Sequence, residues 1–114
     1  MNSYDRAHEL AREVARSSEY RALLQAKEAI MADPAASRMM NDYERKQQAV
    51  YQLYQSGGVP APEQLGELRA LVEIMRQNSV LAGYMQADSR LGQLISDIQK
   101  IIIDAISDAR WEVE

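Results

Sequence analysis

The chain has 114 residues, 46% hydrophobic and 26% charged, with a net charge of −4, and these values predict one globular domain over residues 1–114. Its 13 basic residues are scattered among 17 acidic ones, which argues against direct nucleic-acid binding, because phosphate contacts usually require a basic excess. The chain has no cysteine, no signal-peptide pattern and no apolar run near the ~20 residues that span a bilayer, so we expect a cytoplasmic protein without disulfides or thiolate sites.

The first predicted element is a helix that begins at Asn2 or Ser3, since either side chain can cap its free backbone donors. Its inward face would be Ala7, Leu10, Ala11 and Val14. A second helical segment follows a cap at Ser17-Ser18, with inward residues Tyr20, Leu23, Leu24, Ala26, Ile30 and Met31. The pattern leaves open whether these are two helices or one bent helix, and we favour a break near Ser17.

The third helix begins at Asp33-Pro34, because aspartate caps helix N-termini and proline fits the first helical turn. It runs to about Gln55. Its predicted inward residues are Ala36, Met39, Met40, Tyr43, Val50, Leu53 and Tyr54. Lys46 and Gln47 interrupt this face. Either Lys46 bends outward while Gln47 finds a partner, or the polar pair fixes the register of the helix.

The stretch from Ser56 to Pro62 is a turn, because its two glycines release the third helix and its prolines delay the next one. The fourth helix covers Glu63 to about Gln77, and its buried residues would be Leu65, Leu68, Leu71, Val72 and Met75. Asn78-Ser79 ends it and caps the fifth. Short connections of this kind make neighbouring helices antiparallel.

The fifth helix, predicted from about Ser79 to Asp108, carries the strongest periodic pattern. Its apolar residues alternate by three and four, at Tyr84, Ala87, Leu91, Leu94, Ile98, Ile101 and Ala105. Ile95 and Ile102 widen this stripe, and the turn at residues 101–103 is apolar on nearly every side. We therefore predict an all-α fold, an antiparallel helical bundle of four to five helices with a long C-terminal helix.

This last helix would be up to roughly 45 Å long, against roughly 33 Å for the third and 23 Å for the fourth. Its C-terminal end therefore needs a further cover, either the first two helices folded back or a second copy of the chain. We favour a homodimer. The candidate interface residues are Met39, Met40, Ile101, Ile102, Ile103, Ile106 and Trp111.

Catalytic and metal-binding patterns are absent from the sequence. His8 is the only histidine and cannot form a usual zinc or di-iron site without cysteine or a Glu-x-x-His motif. Gly57-Gly58 lacks the Lys-Ser/Thr of a phosphate loop. Asp88 lies one heptad before Ile95, and it is either a solvated side chain or one that pairs with Arg90 or with a neighbouring helix. We predict no catalytic, cofactor-binding or metal-binding residue, and we do not expect an enzyme.

Several short motifs carry a family resemblance over about residues 4–106. They are Ser18-Glu19-Tyr20, Ala26 to Ile30 with Asp33-Pro34, Tyr43 and Gln47, the Gly-Pro loop, Asn78-Ser79-Val80, Tyr84 to Ala87, and Leu91 to Ile102. On these motifs the chain resembles the YlbF/YmcA family of small bacterial helical proteins. Ser79 departs from the pattern, since the family often has proline there.

The best understood members of that family act in a complex that modulates ribonuclease Y and messenger RNA processing, with effects on competence, sporulation and biofilm formation. The resemblance implies a non-enzymatic regulatory or adaptor protein that acts through protein–protein contacts. Those members are associated with an iron–sulfur cluster held by cysteines, which this chain lacks, so it is more similar to the cysteine-free, YheA-like branch. The alternative is a small-molecule-binding bundle or an enzyme with its site between helices.

Overall fold

The structure is a computed structural model that describes residues 1–111. Within these residues the chain forms five α-helices: α1 (Ser3–Ala15), α2 (Ser18–Ala32), α3 (Pro34–Gln55), α4 (Pro62–Arg76) and α5 (Ser79–Ala105). No strand occurs in the described part of the chain. The predicted all-α fold, a bundle of four to five helices with a long C-terminal helix, is confirmed.

The break between α1 and α2 lies where the sequence predicted it. Asn2 caps α1, because its side-chain oxygen accepts from the Asp5 N–H (3.0 Å) and its own N–H donates to the Asp5 carboxylate (3.3 Å). Ser17 begins α2 in the same way, accepting from the Tyr20 N–H at 3.1 Å. The two segments are therefore separate helices, each with its own capping residue.

Asp33 fixes the start of α3. Its carboxylate accepts from the backbone N–H groups of Ala35 (3.0 Å) and Ala36 (3.1 Å), and Pro34 occupies the first helical position. The missing N–H of proline costs nothing there, because that donor would have no partner inside the helix.

Replacing Asp33 with alanine should lower the free energy of unfolding by about 1 kcal/mol, because two backbone donors lose their acceptor. Asp33→Asn keeps a side-chain oxygen and should retain most of this stability. Urea denaturation of both variants measures the difference. Equal midpoints for Asp33→Ala and the original chain would show that the cap does not stabilise α3.

A tight loop joins α3 to α4. Gly57 has a φ of 82°, a left-handed conformation that favours glycine. The Gly58 N–H donates to the Leu53 carbonyl at 2.8 Å and closes the end of α3. Pro62 then opens α4. The short connection makes α3 and α4 antiparallel neighbours, and the two helices pack against each other.

Two compact units can be distinguished in the chain. The central unit, Leu24–Met85, contains a hydrophobic cluster. Its buried members are Ile30, Ala36, Met75 and Leu81, with Met39, Met40, Tyr43, Leu71, Val80, Tyr84 and Met85 packed against them. Helix α4 thus contributes Leu71 and Met75 to the core, as its sequence predicted. Whether the whole chain behaves as one domain stays a prediction.

Two residues of the central unit that were predicted to lie inward are exposed, and a predicted interruption of its core is absent. Tyr54 is 57% exposed and Met31 is 72% exposed, so predicting both as inward was wrong. Each lies in the last turn of its helix, next to the connection to the following helix. Lys46 lies 3.4 Å from the Asp42 carboxylate and Gln47 is exposed, so this polar pair does not interrupt the core.

The terminal unit comprises Met1–Leu23 and the chain from Gln86 onward. Among its described residues only Ala87 is buried, at 7% exposure. The predicted inward face of α1 was largely wrong: Ala7, Leu10 and Ala11 are exposed, and only Val14 is half-buried. Alanine offers little apolar area to bury, so this helix gains little from packing.

Helix α5 ends earlier than predicted, at Ala105 instead of Asp108. The Ser107 hydroxyl donates to the Asp104 carbonyl at 3.0 Å, and the chain tightens into a 3-10 turn at Ser107–Ala109. Such a turn satisfies carbonyls that a helix end leaves free. Although α5 has 27 residues, no helix in the described part of the chain is long and apolar enough to cross a membrane.

Candidate protein-interaction surface

The most prominent exposed apolar surface of the terminal unit lies on the C-terminal half of α5. Ile95 is 42% exposed, Ile101 69%, Ile102 54%, Ile103 50%, and Ile106, just past the helix end, 46%. Contiguous exposed apolar surface usually marks a place where something binds. The structure therefore leaves uncovered the helix end that the sequence predicted to need a cover.

These isoleucines occupy more than one side of the helix. At 3.6 residues per turn, Ile95, Ile102 and Ile106 lie within about 40° of one line along α5, and Ile103 flanks that line. We call these four residues the isoleucine patch. Ile101 lies on the other side of the half-buried seam formed by Leu91, Leu94 and Ile98. The apolar stripe of α5 is therefore wider than the half-buried seam, which is the part that other residues of the terminal unit cover.

The opposite face of α5 is polar and already paired within the helix. The Gln93 side-chain amide donates to the Asp97 carboxylate at 2.8 Å, and the Lys100 ammonium lies 2.7 Å from Asp104. The hydrogen bond to Asp104 and then its negative charge raise the pKa of Lys100 above its ordinary 10.5. Asp97 and Asp104 are both exposed. This half of α5 is therefore amphipathic, with a solvated face and an uncovered apolar face.

Two residues at the ends of this surface carry no partner side chain. Trp111 is 94% exposed. Asp88 is exposed, and its carboxylate forms no ion pair with Arg90 or any other residue in the described range 1–111. Of the two interpretations left open for Asp88, the described residues therefore favour the solvated side chain. Asp88 lies one heptad before Ile95 on the same line of the helix.

Met39 and Met40, the other candidate interface residues, are half-buried and pack against the core of the central unit. A groove of about 390 Å³ lies beside Met40 and the exposed Met31. Its remaining lining residues are Lys27, Ile30, Ser37, Asn41, Glu44 and Tyr84. Methionine adapts its shape to different partners. In the central unit, however, Met39 and Met40 are half-buried, and the methionine that is exposed to a partner is Met31.

Ile95 and Gly92 are surface residues that the sequence pattern did not single out. Ile95 was taken as a widening of the buried seam, but the structure leaves it exposed. A Cβ atom built on Gly92 would meet no atom within 4 Å, so this glycine is a depression on an open helix face. The sequence did contain a signal for them: the residues Gly92, Ile95, Gln99, Ile103 and Ile106 follow one another at intervals of three or four residues, so all of them share one face of α5.

We expect no stoichiometric binding of zinc, iron or magnesium. No group of three or more histidine, cysteine or acidic residues in the described range is placed to hold a metal ion, and His8 is exposed. Elemental analysis of protein purified without chelators measures the metal content. One metal per chain that disappears in His8→Ala or Asp88→Ala would contradict this expectation.

The fold and its surface define a small all-helical protein whose main exposed feature is an apolar helix face. Residues 3–107 match the family described as "Control of competence regulator ComK, YlbF/YmcA". The chain belongs to the YlbF/YmcA family, which confirms the resemblance predicted from its sequence.

Relatives of similar length support this assignment. A UPF0342 protein of Streptococcus agalactiae is 37% identical over 107 residues, covering 94% of this chain and 96% of the relative. A UPF0342 protein of Symbiobacterium thermophilum is 36% identical over 103 residues, covering 90% and 92%. The similarity therefore extends over nearly the whole chain.

Solved structures share the fold at lower identity. A DUF964 protein of unknown function from Bacillus stearothermophilus has a TM-score of 0.85 at 20% identity, covering 92% of both chains. YheA from Bacillus subtilis has a TM-score of 0.74 at 23% identity, covering 96% of this chain and all of YheA. Bacillus subtilis RicA, solved in complex with RicF, has a TM-score of 0.66 at 18% identity, covering 92% and 93%.

Proposed function

We propose that this chain is a non-enzymatic regulatory or adaptor protein that acts through protein–protein contacts, and that it is a homodimer joined through the C-terminal half of α5. The observation that carries the proposal is the uncovered isoleucine patch. Burying one isoleucine contributes roughly 1.5–3 kcal/mol relative to full exposure, so covering the patch gives a substantial driving force. Two-fold pairing is the commonest way to cover such a surface.

The process proposed is control of ribonuclease Y-dependent messenger RNA processing in the bacterial cytoplasm, with effects on competence, sporulation and biofilm formation. Membership of a family described by control of a competence regulator supports this assignment. The likeness in fold to RicA, solved in complex with RicF, supports action through a protein partner. Because the chain has no cysteine, its part in this process does not include thiolate ligation of an iron–sulfur cluster.

Deletion of the gene in its native host, with complementation, tests this proposal. Loss of the protein should change the abundance of processed transcript ends, and the original chain should restore them. Affinity purification of tagged protein from the complemented strain should retain a protein that acts on RNA. Unchanged transcript processing after deletion, together with a bait that retains only its own copies, would contradict the proposal.

The groove of the central unit supports a second candidate function, binding of a small molecule. Its volume of about 390 Å³ lies within the range of about 300–1,000 Å³ typical of ligand sites, and Lys27, Asn41 and Glu44 supply polar groups. A metabolite that raises the melting temperature by several degrees, with no effect on Asn41→Ala, would favour this function. A panel without such a metabolite would leave the protein–protein role as the better account.

A further inference from the structure

A single line of exposed residues runs beside the half-buried seam of α5, from Asp88 near the middle of the helix to Ile106, one residue past its end. Its members are Asp88, Gly92, Ile95, Gln99, Ile103 and Ile106, and each of them is exposed. They follow one another at intervals of three or four residues, the spacing that keeps side chains on one face of a helix. Ile102 lies next to this line and adds to its apolar area.

The spacing along this line is the same in both directions from Gln99. Ile95 and Ile103 lie four residues before and after it, and Gly92 and Ile106 lie seven residues before and after. If one α5 helix is rotated by 180° about an axis through Gln99, its direction is reversed. The residues of the line from Gly92 to Ile106 then occupy the same set of positions as before the rotation. A two-fold interface requires this property, because each residue must meet its counterpart in both copies.

The sizes of the facing residues are complementary under that symmetry. Gly92 would lie opposite Ile106 of the second copy, so the open space above its Cα would receive a branched side chain that is 46% exposed in the single chain. Ile95 would lie opposite Ile103 of the second copy, which forms an apolar pair on each side of the axis. Small residues opposite large ones allow two helices to approach closely.

Gln99 suits the position on the two-fold axis. A glutamine amide both donates and accepts hydrogen bonds, so two copies facing each other can pair their side chains. A polar residue within an otherwise apolar helix seam fixes register, because any shift leaves that residue opposite an apolar partner. The axis position therefore favours one alignment over shifts by one heptad.

We infer that the occupant of this face is a second copy of the chain, with the two α5 helices antiparallel and the two-fold axis at Gln99. This inference rests on the homodimer of the proposed function and adds its orientation and register. A second copy fits better than an unrelated protein, because the spacing of the exposed residues and the sizes of the facing side chains both match when one helix is reversed about Gln99.

Single cysteines can test this register directly, since the chain contains none. A disulfide requires Cα atoms about 4.4–6.8 Å apart, and only a residue on the two-fold axis of an antiparallel pair meets its own copy at such a distance. Gln99→Cys should cross-link to a covalent dimer under mild oxidation. Lys100→Cys, the next residue but on the opposite face of α5, is the matched control and should remain uncross-linked.

A second pair of variants tests the direction of the helices. Ile95→Cys alone should not cross-link in an antiparallel dimer, whereas Ile95→Cys with Ile103→Cys in the same chain should. A parallel pair would cross-link Ile95→Cys alone as readily as Gln99→Cys, and that result would overturn the inference. Circular dichroism of each reduced variant verifies that its helix content matches that of the original chain.

Failure of the register can be told apart from failure of the homodimer. If the original chain sediments as a dimer but Gln99→Cys does not cross-link, then the two-fold axis at Gln99 is wrong and the homodimer stands. If the original chain sediments as a monomer at every concentration, both the homodimer and the register are overturned. Equal cross-linking of Gln99→Cys and Lys100→Cys would also overturn the register, because it would indicate random collisions.

Discussion

Replacing Leu81 with alanine is expected to lower the free energy of unfolding by about 2–5 kcal/mol. Leu81 is fully buried, at 0% exposure, and belongs to the core cluster with Met75, Ile30 and Ala36. Truncation loses the transfer energy of the removed carbons and leaves a cavity, because the surrounding side chains relax only partly. Urea denaturation followed by circular dichroism measures the loss.

Leu24→Ala is the matched control, since it makes the same chemical change in the same unit at a residue that is 42% exposed. Its cost should be clearly smaller, about 1 kcal/mol, because less apolar area returns to water and no closed cavity forms. Equal losses for the two variants would show that the cluster around Leu81 is not the stabilising core of the central unit.

Replacing Ile102 with glutamate is expected to convert the homodimer to a monomer at micromolar concentration. By symmetry the change removes two isoleucines from the interface and places two carboxylates against an apolar surface. Because Ile102 is 54% exposed in the single chain, each copy loses about half of the 1.5–3 kcal/mol for a fully exposed isoleucine. The two losses together weaken dimerisation by roughly 10–10²-fold, and the two buried carboxylates weaken it further. Sedimentation velocity across a dilution series measures the change in dissociation constant.

Ile74→Glu provides the control for this variant. Ile74 is 55% exposed in α4 and Ile102 is 54% exposed in α5, so both substitutions put the same charge at equally exposed isoleucines. Ile74→Glu should leave the dissociation constant unchanged. If both variants dissociate the dimer alike, or neither does, then the interface does not lie on the isoleucine patch.

Helix boundaries were the part of the fold that could be predicted best, because capping is decided within three residues. The side chains of Asn2, Ser17 and Asp33 each accept from a backbone N–H two or three residues further along. The signal therefore lies in the local sequence. The end of α5 was predicted less well, since the hydrogen bond from Ser107 to Asp104 competes with continuation of the helix.

Burial was harder to predict, because it depends on which other element covers a face. Leu10, Met31 and Tyr54 all follow a helical apolar pattern, yet each is exposed. Periodicity shows which side of a helix is apolar and cannot show whether a second helix lies there. The same limit explains why Ile95 was assigned to a buried seam.

The candidate surface was predicted in part. The apolar turn at residues 101–103 indicated that this end of α5 needs a cover, but not whether the first two helices or a second copy supplies it, and its use as an interface stays a prediction. The symmetric spacing about Gln99 was also present in the sequence. It became meaningful only once the structure showed that this line of α5, including Gly92, is open.

Light scattering of the original purified chain over a dilution series tests the central claim most directly. The account predicts a mass of twice the 12.9 kDa of one chain at micromolar concentration, falling towards one chain only on strong dilution. A mass of 12.9 kDa at every concentration would contradict it, since the isoleucine patch would then remain in water without a second copy.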